Sequence, residues 1–285
     1  MTKKGKKPQK EIESKIKKLI KELKKYDGME YSVEMEEELK EIEDKLVSCG
    51  KSAVPQLIEV LNKHTWRSSW HAANALGAIG DKKAIVHLVN TLEEPELGEN
   101  AKDALKKFGL TCIPSVIKKV EYRIKHPIKD ASCSLDIITA PALDTIGEIR
   151  CEESAKFLNN MLDDYISEMP DEPFDPAKHD WKYRNVDLFH LIDCMVRQQD
   201  KSAIPHIRKA RDFFPENYTD YKICQIAIGR IKKGKVEGYL PLEALEIAMP
   251  SGAIMDALSG GELGWKDTFD EEYGEYFEND EEDEE

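Results

Sequence analysis

The chain reads as an all-α protein: an α-solenoid of about six stacked helical hairpins, a number within the range of known repeat arrays, with flexible termini. Three observations carry that expectation. Apolar residues recur every three or four positions in short segments, so each segment forms a helix with one apolar face. One stretch, residues 66–92, holds two such helices about a tight glycine turn and returns in diverged form along the chain. Hairpins that short cannot bury two apolar faces alone, and copies stacked on either side supply the missing surface.

The elements follow in order. Residues 1–10 are lysine-rich and expected as a basic disordered start. Residues 11–26 place Ile12, Ile16, Ile20 and Leu23 at helical spacing in a basic amphipathic helix. Its first reading is a cap over the apolar end of the first repeat. The rival reading is an arm for an anionic partner such as RNA or a lipid surface. Asp27-Gly28 breaks it, and repeats fill 33–250.

The hairpin at 66–92 shows the local logic. Ala72, Ala73, Ala75, Leu76 and Ile79 share one helical face, and small side chains there let a neighbouring helix approach closely. Gly80 ends the helix, because glycine enters the left-handed region without a Cβ penalty. Asp81 is placed to cap the next helix, whose inward face is Ala84, Ile85, Leu88, Val89 and Leu92. The ending recurs at Cys49-Gly50, Phe108-Gly109, Ile146-Gly147 and Ile228-Gly229. The second start recurs as Ala53-Val54-Pro55, Cys112-Ile113-Pro114 and Ala203-Ile204-Pro205, with proline in the first turn, where its missing N–H removes no helix bond.

Residues 72–92, AANALGAIGDKKAIVHLVNTL, resemble the HEAT-like repeat first noted in phycobilisome lyase subunits. The resemblance implies the repeat fold over 33–250. It leaves activity open, since that repeat serves scaffolds, enzyme subunits and nucleic-acid binders alike. The repeat commonly carries an arginine three residues before its Ala-Ala pair; here Ser69 stands there, with Trp66 and Arg67 out of register.

The remaining hairpins are expected at 33–63, 98–124, 130–167 (with Pro141 kinking its first helix), 183–213 and from 217 to about 232, with a closing helix at 241–249. Residues 168–181 hold three prolines and many acids and read as a loop inserted into the array. From 251 a glycine-containing linker leads to an acidic segment bearing Trp265, Phe269, Tyr273, Tyr276 and Phe277. Such a segment, disordered alone, suits docking on a basic or apolar groove, on this chain or on a partner; the plain alternative is a solubility tail. Charge is polarised: the first 25 residues carry +8 although the chain carries −14.

Chemistry is sparse. The six cysteines form no zinc spacing, and Cys49, Cys112, Cys194 and Cys224 fall on core positions, as small hydrophobes in a reducing cytoplasm do. No run of about 18 apolar residues exists, and the basic start lacks the apolar stretch of a secretory signal, so a cytoplasmic location is expected. His190, Asp193 and Cys194 lie one helical turn apart and His179-Asp180 sits in the acidic insertion, yet neither set adds a convincing nucleophile or ligand shell. Trp66, Trp70 and Trp181 read either as an aromatic platform or as packing at the repeat edge. No metal site and no cofactor is expected, nor is an enzyme.

If the second helices line the inner surface, their outward positions are Gln56 and Glu59, His87 and Asn90, Ser115 and Lys118, and His206 and Lys209. These are polar without one charge sign, which suits a protein or peptide better than a nucleic-acid backbone. The expected function is therefore a non-catalytic interaction scaffold. The alternatives are an enzyme subunit, and a nucleic-acid-associated protein acting through residues 1–25.

Overall fold

A computed structural model describes residues 6–30, 32–63, 65–126, 136–169, 186–214 and 219–234. Among them are twelve α-helices and no strand. The chain divides into two compact units, Met1–Ile149 and Arg150–Glu285.

The first unit begins with α1, Lys6–Leu23. The helix thus starts inside the segment expected to be disordered. Pro8 falls in its first turn, where the N–H it lacks has no intrahelical partner anyway. Ile16, Leu19, Ile20 and Leu23 are buried against α2 (Val33–Ser48) and α3 (Val54–Leu61), as a cap requires; Ile12, one turn earlier, is 39% exposed. The α-helix stops at Leu23 and a 3-10 turn, Lys24–Tyr26, follows.

Asp27 does more than end that turn. Its carboxylate accepts from the Ser68 backbone N–H at 2.9 Å and from the Ser68 hydroxyl at 2.8 Å. It thereby caps the first turn of α4, Trp66–Ile79, from 41 residues away. Asp27→Ala is expected to cost about 1–2 kcal/mol, the usual worth of a side-chain helix cap; a urea melt reads it directly, and an unchanged midpoint would remove the cap from the account.

The unit continues with α5 (Ile85–Thr91), α6 (Gly98–Lys106), α7 (Ile113–Lys125) and α8 (Asp136–Glu148). Helices α2, α4, α6 and α8 each pack on the next and form one layer; α3, α5 and α7 form the other. This is the arrangement of stacked hairpins that the periodicity predicts. Gly80 has φ +68 and ends α4, and Asp81 accepts from the Lys83 N–H at 3.0 Å to start the turn into α5. Leu57, Leu61, Leu76, Leu88, Leu92, Leu105 and Ile113 are fully buried between the layers. Each contributes about 1.5–3 kcal/mol of apolar burial.

The second unit holds α9 (Glu152–Ser167), α10 (Leu188–Gln198), α11 (Ala203–Phe213) and α12 (Thr219–Lys233). The layering rule repeats: α10 packs on α12, and α9 on α11. The two helices expected as a fourth hairpin, α8 and α9, fall one in each unit.

Two of the expected turn glycines are corrected. Gly147 lies inside α8 and Gly229 inside α12, so neither Ile146-Gly147 nor Ile228-Gly229-Arg230 is a turn. The apolar positions around them still match the repeat, but the helices run on past them. In the second unit the left-handed cap of α10 is taken by Gln199, φ +54. Pro141 sits within α8, and its ring lies against Gly98. Residues 241–249, the insertion beyond 169 and the segment from 251 onward lie outside the described residues, as do Cys133, Trp181 and His179-Asp180.

Candidate interaction face

The second-helix layer repeats one burial pattern. In α5 and its approach, residues 84–92 run buried, buried, exposed, half-buried, buried, buried, exposed, buried, buried. The 53–61, 112–120 and 203–211 stretches follow that pattern with half-burial in place of burial at one, two and three positions respectively. Residues 154–162 of α9 reproduce it in full. Each helix therefore presents a half-buried residue followed, three positions on, by an exposed one, the spacing of neighbours on a helix surface.

The outward positions expected on the second helices fall on this comb; Trp265, Phe269, Tyr273, Tyr276 and Phe277 lie outside the described residues. Gln56, His87, Ser115 and His206 are the half-buried residues; Glu59, Asn90, Lys118 and Lys209 are the exposed ones. In the first unit α3, α5 and α7 are direct neighbours, so the first three pairs lie side by side. In the second unit α11 lies beside α9, which adds a pair that sequence reasoning missed, Phe157 and Asn160. The signal was present: Ser154-Ala155-x-x-Leu158 stands where Ala84-Ile85-x-x-Leu88 stands in the second hairpin. Serine replaced alanine and no proline marked the turn, so the register was hidden. One position before the half-buried residue, Pro55, Val86, Pro114 and Pro205 are exposed and give four of the five helices an apolar edge, while α9 has Lys156 there.

Within each unit ion pairs join neighbouring second helices. Glu93, just after α5, takes Lys119 at 2.7 Å on one oxygen and Arg123 of α7 at 2.7 Å on the other. Asp163 of α9 takes His206 at 2.9 Å and Lys209 at 3.3 Å. His206 and Lys209 are thus shared between a neighbour and the surface. Gln56 Oε1 is shielded from solvent and accepts no hydrogen bond among the described residues.

The first-helix layer carries a different set, which sequence did not flag. His71 of α4 is 3% exposed and Glu43 of α2 is 3% exposed, and the two meet at 2.9 Å through Nδ1. The other ring nitrogen lies 3.7 Å from Glu36. Burial by itself would raise the Glu43 carboxyl; the hydrogen bonds from His71 and Lys40 outweigh it and hold the group below its ordinary value. One repeat on, the Lys102 ammonium is buried among Glu99, Asp144 and Glu148, and although burial opposes its charge those carboxylates keep it above the ordinary lysine value. Ser69, where the repeat commonly has arginine, donates from its hydroxyl to the Val60 carbonyl at 3.1 Å and joins α4 to α3. Arg67 is itself buried, with Nη1 3.0 Å from Met35 Sδ and its guanidinium over the Trp66 ring. Trp66 is 53% exposed, whereas Trp70 is half-buried beside His71.

Of the trio at 190–194, His190 and Cys194 bring their ligand atoms within 4.8 Å of each other, whereas Asp193 turns to an arginine. Cys194 is fully buried, and Asp193, 2% exposed, is engaged by Arg197 at 2.8 Å. Cys112 and Cys224 are buried, as core positions require; Cys49 is only half-buried, at the mouth of its turn. Burial pushes the Cys224 thiol up to about 12, as an apolar core position does. Among the described residues no helix is long and apolar enough to cross a membrane.

A family model described as PBS lyase HEAT-like repeat matches residues 70–94, from within α4 through the turn to just past α5. No curated protein and no solved structure matches the chain.

Proposed function

We propose that this HEAT-like repeat protein is a non-catalytic scaffold that binds a protein or peptide on its second-helix layer. The observation supporting the reading is the comb itself: one half-buried and one exposed position recur on α3, α5, α7, α9 and α11. Core packing explains the buried positions of that pattern and leaves the outward residues unconstrained. Gln56, Glu59, His87, Asn90 and Lys118 are polar and of mixed sign, and an edge of Pro55, Val86 and Pro114 flanks them. Mixed polar groups beside exposed apolar ones suit a protein surface, whereas a nucleic-acid backbone would call for a run of cations. Affinity on such a face is a sum of modest contacts, with a few anchors dominating.

The test uses the full chain as bait. Asn90→Glu with Lys118→Glu alters the comb at two exposed positions. Lys107→Glu, an exposed change on the first-helix layer, is the control. Quantitative affinity purification is expected to show at least a tenfold loss of a captured protein with the first variant, about 1.4 kcal/mol of binding. The control should retain it, and the thermal melts of all three should coincide. Equal capture by both variants, or loss with Lys107→Glu alone, would move the partner off this face.

A further inference from the structure

In the second unit Ile166, Pro205, Arg208, Lys209, Asp212 and Phe213 line an open groove of about 550 Å³ between α9 and α11. That volume lies in the range of sites that take one or a few side chains. Its floor and one end are apolar. Ile166 is 6% exposed, while Phe213 is 41% exposed and stands edge-on to Phe214 with ring centroids 5.3 Å apart. Arg208 and Lys209 supply a basic side. Lys209 shares Asp163 with His206, an exposed pair that gives up little when a second carboxylate competes for it.

We propose that the groove is the seat of this chain's own acidic aromatic segment, residues 262–285. Three observations point to that occupant. The first is chemistry: the segment carries thirteen acids against one lysine, net −12, so it is the charge complement of the Arg208–Lys209 side. The second is spacing: Trp265, Phe269, Tyr273 and Tyr276 with Phe277 are separated by four, four and three to four residues, which is one face of an α-helix. Aromatic anchors on such a face, with acids between them, are the pattern of a helix laid in an apolar groove. The third is reach: the last described residue is Gly234 at the end of α12, and α12 packs on α11. Trp265 follows 31 residues later. Even as a flexible coil, a connection of about 30 residues spans about 30 Å, enough to return to the neighbouring helix. Tethering at that length raises the local concentration of the segment to about the millimolar range, so a weak intrinsic affinity keeps the groove filled.

The groove shares Pro205 and Lys209 with the comb, so on α11 the segment would compete with a foreign partner; the test needs no such partner, and its outcome is read apart from that of the scaffold proposal. The experiment uses full-length protein throughout. A photo-crosslinking phenylalanine analogue replaces Phe269, and crosslinked peptides are mapped at high dilution. The expected product joins the segment to peptides containing Ile166 or residues 205–213 of the same molecule. Arg208→Glu with Lys209→Glu is expected to lower its yield at least fivefold. In the second arm, a labelled synthetic peptide of residues 262–285 is titrated into the full chain and into a full chain with Phe269, Tyr273, Tyr276 and Phe277 all changed to Ala. The peptide is expected to bind the substituted chain at least tenfold more tightly, because only there is the groove open. Crosslinks to another segment or another copy, or equal peptide affinity for both chains, would overturn the proposal. The second arm needs no change in the groove and so decides the matter even where the charge-reversed variant does not fold.

Discussion

Gly77→Val is expected to lower the melting temperature by about 10 °C, the counterpart of about 3 kcal/mol in a domain of this size. Gly77 lies in α4 where it crosses α6, and a Cβ built there would sit 2.8 Å from Ala104 Cα and 3.0 Å from its carbonyl oxygen. Both are backbone atoms, so no side chain can rotate away and the helices themselves must part. Overfilling a packed site of this kind costs about 1–3 kcal/mol and more where backbone must move. Against it stands the gain from removing glycine from a helix interior, about 1 kcal/mol for alanine and less for a β-branched residue. The clash outweighs that gain, and valine loses most of the compensation. A calorimetric scan of Gly77→Ala beside Gly77→Val orders the two effects. An unchanged or raised melting temperature for the valine variant would mean that α4 and α6 do not approach so closely.

Glu43→Gln is expected to cost about 2–3 kcal/mol at neutral pH, the range for losing a hydrogen bond to a charged group in a buried setting. The amide keeps the shape but not the charge, and His71, 3% exposed, loses the carboxylate on its Nδ1. The sign with pH is definite. The folded carboxyl lies below its ordinary value of 4.5, so the stabilisation is complete above that value and is lost as the pH falls through the depressed folded one. The difference in melting temperature between the wild type and Glu43→Gln should therefore hold from neutrality down to about pH 5 and shrink at lower pH. A difference that instead grows as the pH falls below about 4.5 would reverse the assignment of charge to Glu43.

Local chemistry was legible and distant pairing was not. Gly80, Asp81 and the alternation of Ala84, Ile85, Leu88 and Val89 lie within one hairpin, so their roles follow from spacing alone. The comb residues were legible for the same reason, since once Ala53, Ala84, Cys112 and Ala203 are aligned the outward positions are arithmetic. Glu43 and His71 are 28 residues apart, and Asp27 and Ser68 are 41 apart. No periodicity reports such a pair. Gly147 and Gly229 misled because a glycine after an apolar residue looks the same whether a helix stops there or runs through it. Gln199 escaped notice because a left-handed glutamine has no signature at all.

The comb sets a length scale. Neighbouring helices lie about 8–10 Å apart, and an extended polypeptide advances about 3.3 Å per residue. A strand laid across α3, α5 and α7 would therefore meet an equivalent tooth at every third residue, Gln56 and Glu59 first, His87 and Asn90 next, Ser115 and Lys118 last. The side chains offered differ at each step, from acid to amide to amine among the exposed ones. On the proposed function, such a frame would measure a visitor in triplets while each rung asked for a different side chain, and sequence discrimination would arise from a nearly uniform row of helices.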